Sequence, residues 1–142
     1  MKKIARIARV IALEICYQLD IQNLLSEKHA VKALKEKNIG GDVYLRVESI
    51  VCGIVKNISF IDDLLAKYSE NWDISRMSYV DRNILRIAVY EMFFVPGVPD
   101  IVAIDEAIEI SKIYSGPDSG KFINGLLDRI MKQSVSRKDI EK

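Results

Sequence analysis

Apolar residues recur every three or four positions along most of this 142-residue chain, and no run alternates with period two, so the pattern predicts helices and no strands. Ile4, Ala8, Ile11, Ile15 and Leu19 mark a first helix from Ile4 to about Ile21, with Leu13, Cys16 and Tyr17 widening its apolar arc. Ser26 can cap a shorter helix reaching about Lys37, with Ala30, Ala33 and Leu34 inward, and Gly40-Gly41 stops it. A long third helix is expected from Asp42 to about Tyr68, striped by Val43, Val47, Ile50, Ile54, Ile58, Ile61 and Leu65. Gly53 interrupts it, which points to a close crossing with another helix. Asn71 to Met77 reads as a connector, with Trp72 over the join between two halves of the chain.

The fourth helix, Ser78 to Phe94, is apolar on nearly every side, and a helix of that kind is a core element wrapped by others. Ser78 and Asp81 form an S-x-x-D box at its start; Pro96, Gly97 and Pro99 cannot continue it. A fifth helix is expected from about Val102 to Tyr114, with Ala103, Ala107 and Ile110 inward. Ser115, Gly116 and Pro117 break it, and a last helix runs from Asp118 or Ser119 to about Met131. Six to seven helices with short connectors imply an all-α bundle in one domain. The break near 70–77 divides it into two three-helix halves, about 1–69 and 78–133, followed by a polar tail, 134–142.

Composition narrows the function. The net charge is +1, so a nucleic-acid surface would have to come from local clustering. Cys16 and Cys52 fall on apolar helix positions, as reduced core thiols do. Lys2 and Lys3 with Arg6, Arg9 and Glu14 interrupt any apolar run at the start, which excludes a signal peptide or membrane span there. His29 is the lone histidine, and no Cys/His set has metal spacing. Asp62-Asp63 and Asp105-Glu106 are neighbours in sequence, so each pair diverges on its helix and does not form an acid–base couple. GPDSGK at 116–121 is too short between its glycines for a phosphate loop, and Phe122 stands where a magnesium-binding Ser or Thr would be needed. The expectation is no catalytic residue, no metal and no cofactor.

Three clusters remain. Lys2, Lys3, Arg6 and Arg9 gather at the first helix N-terminus, where cations oppose the macrodipole at about 0.3–1 kcal/mol each. They either await an anion or form a solvated basic end. Asp118 to Asn124 opens the last helix, whose free N–H groups suit phosphate, with Lys121 adding charge and Phe122 offering a ring to an unpaired base. The alternative has Phe122 in the core and Asp118 as a plain cap. Asp81 and Arg86 break the apolar arc of the fourth helix. Arg86 keeps its charge and requires a carboxylate, Asp81 or Glu91 within the chain, or a partner.

VDRNILRIAVYE at 80–91, VP at 98–99, VAIDEAIEISK at 102–112 and SGKFINGLLDRI at 119–130 resemble the C-terminal half of the NusB family, bacterial transcription antitermination factors. ARIARVIALEICYQLD, at 5–20, resembles that family's opening. The resemblance implies a cytoplasmic RNA-binding protein without enzymatic activity. Such a protein pairs with NusE, a small-subunit ribosomal protein, and holds the single-stranded boxA element of ribosomal RNA leaders within an RNA polymerase antitermination complex. It assigns RNA contact to Lys2, Lys3, Arg6, Arg9, Asp118, Lys121 and Phe122, and contact with NusE to Tyr17, Asp81 and Arg86. A homodimer stays open. So do two other readings: an RNA-binding accessory to ribosomal RNA modification, and a helical protein adaptor that binds no RNA.

Overall fold

The computed structural model describes residues 2–69 and 73–134, Lys2 by its backbone alone. Trp72 and residues 135–142 of the expected tail lie outside the described residues. Among the described residues, seven α-helices follow in order: α1 Lys2–Ile21, α2 Glu27–Glu36, α3 Gly41–Lys56, α4 Ile58–Tyr68, α5 Tyr79–Phe94, α6 Asp100–Tyr114 and α7 Ser119–Gln133. A 3-10 turn at Ile74–Arg76 leads into α5, its N-cap Asp73 accepting from the Ser75 N–H at 3.0 Å.

The long third helix of the sequence reading is two helices. Asn57, at φ −115° and ψ 20°, ends α3 and begins α4. Its side-chain amide donates to the Gly53 carbonyl at 2.8 Å, and its backbone N–H donates to Gly53 and Ile54 at 3.2 and 3.1 Å. A short polar side chain here shares the Gly53 carbonyl with the backbone N–H, the competition that makes Asn a poor helix interior residue. The apolar period crosses the break unchanged, from Ile54 to Ile58 and Ile61, so periodicity carried no sign of it. The N-terminal half therefore holds four helices and the C-terminal half three.

Helix α5 is the centre. Every residue from Asn83 to Phe93 is buried, and α5 packs against α1, α3, α4, α6 and α7. Ser78 caps it, its hydroxyl accepting from the Asp81 N–H at 3.0 Å. One apolar cluster draws on all seven helices, and each fully buried Ile or Leu in it contributes about 1.5–3 kcal/mol. Gly53 supplies the expected close crossing: a Cβ there would lie 2.2–2.4 Å from ring and hydroxyl atoms of Tyr90 on α5. Tyr90 in turn stacks on Phe94, with centroids 5.7 Å apart.

Candidate nucleic-acid and partner interface

Arg9, Leu13, Cys16 and Asp20 are spaced i, i+4, i+7, i+11 along α1, so two charges share the stripe that faces the core. Both are paired. The Arg9 guanidinium is 7% exposed and donates to Glu91 on α5 at 2.8 Å and to Glu106 on α6 at 3.2 Å. Arg9 was expected to contact RNA from the basic end; burial and two carboxylates make it an internal tie between α1, α5 and α6. Arg6 and Lys3 remain outward. The Arg6 side chain is 45% exposed and forks onto Glu106 at 2.6 and 3.1 Å, a carboxylate that offsets the dipole disadvantage of a cation at this helix end. The Lys2 side chain lies outside the described residues.

The other end of the α1 stripe meets the start of α5. Asp20 accepts from Arg82 at 2.6 Å through both oxygens, from Asn83 at 2.8 Å and from Arg86 at 2.9 Å. Arg86 is 6% exposed and also forks onto Asp62 of α4, with both bonds at 2.8 Å, while donating to the Asn83 amide oxygen at 3.1 Å. Neither Asp81 nor Glu91 pairs with it. The expected contact of Arg86 with a partner is therefore replaced by an internal network: its guanidinium is consumed by α1, α4 and α5. Asp62, set aside in the sequence as half of a divergent pair, is one of its two carboxylates. Burial opposes ionisation of Asp20, but hydrogen bonds from Arg82 and Asn83 and the charge of Arg86 outweigh it and hold its pKa below the ordinary value. Burial likewise works against the Arg86 charge, and Asp62 and Asp20 more than restore it.

Outside this network lies an aromatic face. Tyr17 and Tyr79 are both partly exposed and meet edge to face, centroids 6.4 Å apart. Arg82 covers the Tyr79 ring at 4.4 Å, and Ile21, four residues beyond Tyr17, extends the exposed apolar surface. Tyr79 was missed in the sequence because it reads as the first residue of a helix already bounded by its cap. Asp81 is not the carboxylate that Arg86 pairs with. Its carboxylate points to the α6–α7 turn, accepting from the Ser115 hydroxyl and, at 3.2 Å, from the Ser119 hydroxyl.

That turn leads into the second candidate cluster. Asp118 and Lys121 are exposed, and Asp118 makes no side-chain cap bond to α7. Phe122 is half-buried and packs against the core. A groove of about 950 Å³ opens between α1, α6 and the Pro-Gly turn; Lys3, Arg6, Ile7, Val102 and Tyr114 are among its walls. Tyr114 is the last residue of α6 and precedes the turn that carries Asp118 and Lys121. Glu106 also lines the groove, its pKa lowered first by the Arg6 hydrogen bond. Burial pushes the Cys16 thiol up to about 12, which leaves it an inert core group. Among the described residues, no group of three His, Cys, Asp or Glu side chains could hold a metal ion, and no helix is long and apolar enough to cross a membrane.

The model of the NusB family matches residues 6–132. The chain belongs to the NusB family. The transcription antitermination protein NusB of Thermotoga maritima is 52% identical over 89 residues, a match that spans 63% of each chain. The solved structure of T. maritima NusB superimposes with a TM-score of 0.83 at 36% identity, covering 97% of both chains. NusB of Acetivibrio thermocellus is 39% identical over 134 residues, 94% of this chain and 92% of the relative. A crystal structure of antitermination factors NusB and NusE in complex with dsRNA contains a chain of the same fold, at TM-score 0.81 and 29% identity, covering 94% and 100%. The architecture of the described residues, seven helices and no strand, is thus that of NusB proteins, and the chain is a transcription antitermination factor of the regulatory kind, not an enzyme.

Proposed function

We propose that this NusB-family chain acts in the cytoplasm by binding the single-stranded boxA element of ribosomal RNA leader transcripts together with NusE, as part of an RNA polymerase antitermination complex. The observation that carries this reading is the likeness, over 94% of the chain, to NusB in a complex with NusE and dsRNA. The outward cations support it. Lys3, Arg6 and Lys121 reach solvent while Arg9, Arg82 and Arg86 are spent internally, so phosphate contacts are few. Arg6 must share its guanidinium between Glu106 and a phosphate. Phe122 is half-buried beside the exposed Lys121, and an unpaired base could stack on its ring. Tyr17 and Tyr79 form an aromatic face of the composition that interface anchors have, and we assign NusE to it.

A gel-shift titration with boxA, scrambled and duplex RNA, each with and without NusE, tests the reading. The expected result is weak, salt-sensitive binding by the chain alone and tighter, boxA-selective binding with NusE. Equal retention of boxA and scrambled RNA under both conditions would overturn it. Capture of NusE with no RNA retained would leave a protein adaptor.

A further inference from the structure

The turn that presents Asp118, Lys121 and Phe122 is held within itself by three backbone hydrogen bonds, from the Ser115 and Gly116 N–H groups to the Ser111 carbonyl at 2.9 and 3.0 Å and from the Ser119 N–H to the Gly116 carbonyl at 3.3 Å. Ser115, Pro117 and Asp118 are exposed, and Gly116 sits at φ +150°, a conformation that suits glycine. The hydroxyls of the turn also converge. Ser115 donates to Asp81 Oδ1, Ser119 lies 3.2 Å from Asp81 Oδ2, and the two serine oxygens are 2.8 Å apart. Each hydroxyl has one proton, so Ser115 gives its proton to the carboxylate and Ser119 shares its own between Ser115 and Asp81. Asp81 is itself fixed on the first turn of the most buried helix, beneath the Ser78 cap. A rigid element thereby holds, through one carboxylate, a turn one residue away from Asp118 and two away from Lys121.

We infer that Asp81 is a positioning residue for RNA binding: it acts through Ser115 and Ser119 to set the first turn of α7, and it touches no RNA itself. The inference rests on the RNA reading above. A turn that keeps the competent arrangement only a tenth of the time binds about tenfold more weakly, with no phosphate contact removed. Charge-assisted hydrogen bonds of this kind are strong enough to shift such a population.

The test uses the full chain without a protein partner, because Asp81 is two residues from Tyr79 of the aromatic face on α5. Asp81→Ala and the double variant Ser115→Ala/Ser119→Ala are titrated with boxA RNA over a salt series, beside Lys121→Ala. Both should weaken binding about tenfold with the wild-type salt slope, and combining them should cost no more than either. Amide exchange at 116–122 should rise in both, with melting temperature nearly unchanged. Lys121→Ala should instead flatten the slope by about 0.7. Full RNA affinity in Asp81→Ala beside a weakened Lys121→Ala overturns the inference and leaves the RNA reading intact. Additive losses, or a flattened slope in Asp81→Ala, also overturn it. If Lys121→Ala and Arg6→Ala both bind as wild type, the RNA reading fails and the inference falls with it.

Discussion

A guanidinium that cannot lose its proton must be paired wherever it is buried, and Arg86 is paired on two sides, by Asp62 and Asp20. Removing one member of such a set leaves the others charged and dry. Arg86→Ala should therefore destabilise the fold by about 3–5 kcal/mol, read from denaturant unfolding. Arg86→Lys should recover only part, because an ammonium cannot fork onto Asp62. An unfolding midpoint within error of wild type for Arg86→Ala would contradict the assignment. Asp20 gives the pH dependence. Its folded pKa lies below its unfolded one, so its contribution is complete above the ordinary aspartate value of about 4 and is lost as pH falls through the lowered one. Melting curves from pH 7 down to 2 should show the acid limb becoming shallower in Asp20→Asn, together with lower stability at pH 7. The inward charges were legible in part: Arg9 and Asp20 fall on the stripe of Leu13 and Cys16, and Glu91 falls three residues after Ala88 on the buried face of α5. Their partners were not, because Asp62 and Glu106 are distant in sequence and only packing brings them near.

At the scale of elements, α1 and α5 run antiparallel and are pinned at both ends by pairs of opposite polarity, Arg9 with Glu91 and Asp20 with Arg82 and Arg86. A shift of one helical turn would break all three pairs, so they fix register as well as contact. The crossing of α3 on α5 is fixed differently, by the absence of a side chain. Gly53→Ala should cost about 1–3 kcal/mol, since its Cβ would need to displace Tyr90 from its stack on Phe94. Tyr90→Ala in the same chain should make Gly53→Ala nearly neutral in thermal melting, and equal losses in both backgrounds would sink the explanation. Helix existence, caps and the close crossing were readable from apolar period, Ser78 and Gly53. The division at Asn57 was not, because it depends on one side-chain hydrogen bond that leaves the period intact.

Across the whole molecule, the arginines divide by destination. Those on inward stripes of α1 and α5 hold helices together, and within the two candidate RNA clusters Lys3 and Arg6 on α1 and Lys121 on α7 are exposed. The sequence drew Arg9 and Arg86 into binding surfaces because charge on a helix is visible in one dimension while the direction of its partner is not. The fold and family were legible because motif spacing over α5 to α7 survives compression into sequence; the sorting of charges needed the packed bundle. The most direct test of that sorting is the salt dependence of boxA RNA binding by the NusE-bound chain. Replacing Lys3, Arg6 and Lys121 together by Ala should reduce the logarithmic salt slope by about 2, three contacts at about 0.7 each for single-stranded RNA. A triple variant that folds and keeps the wild-type slope would contradict the assignment of RNA to this outward set.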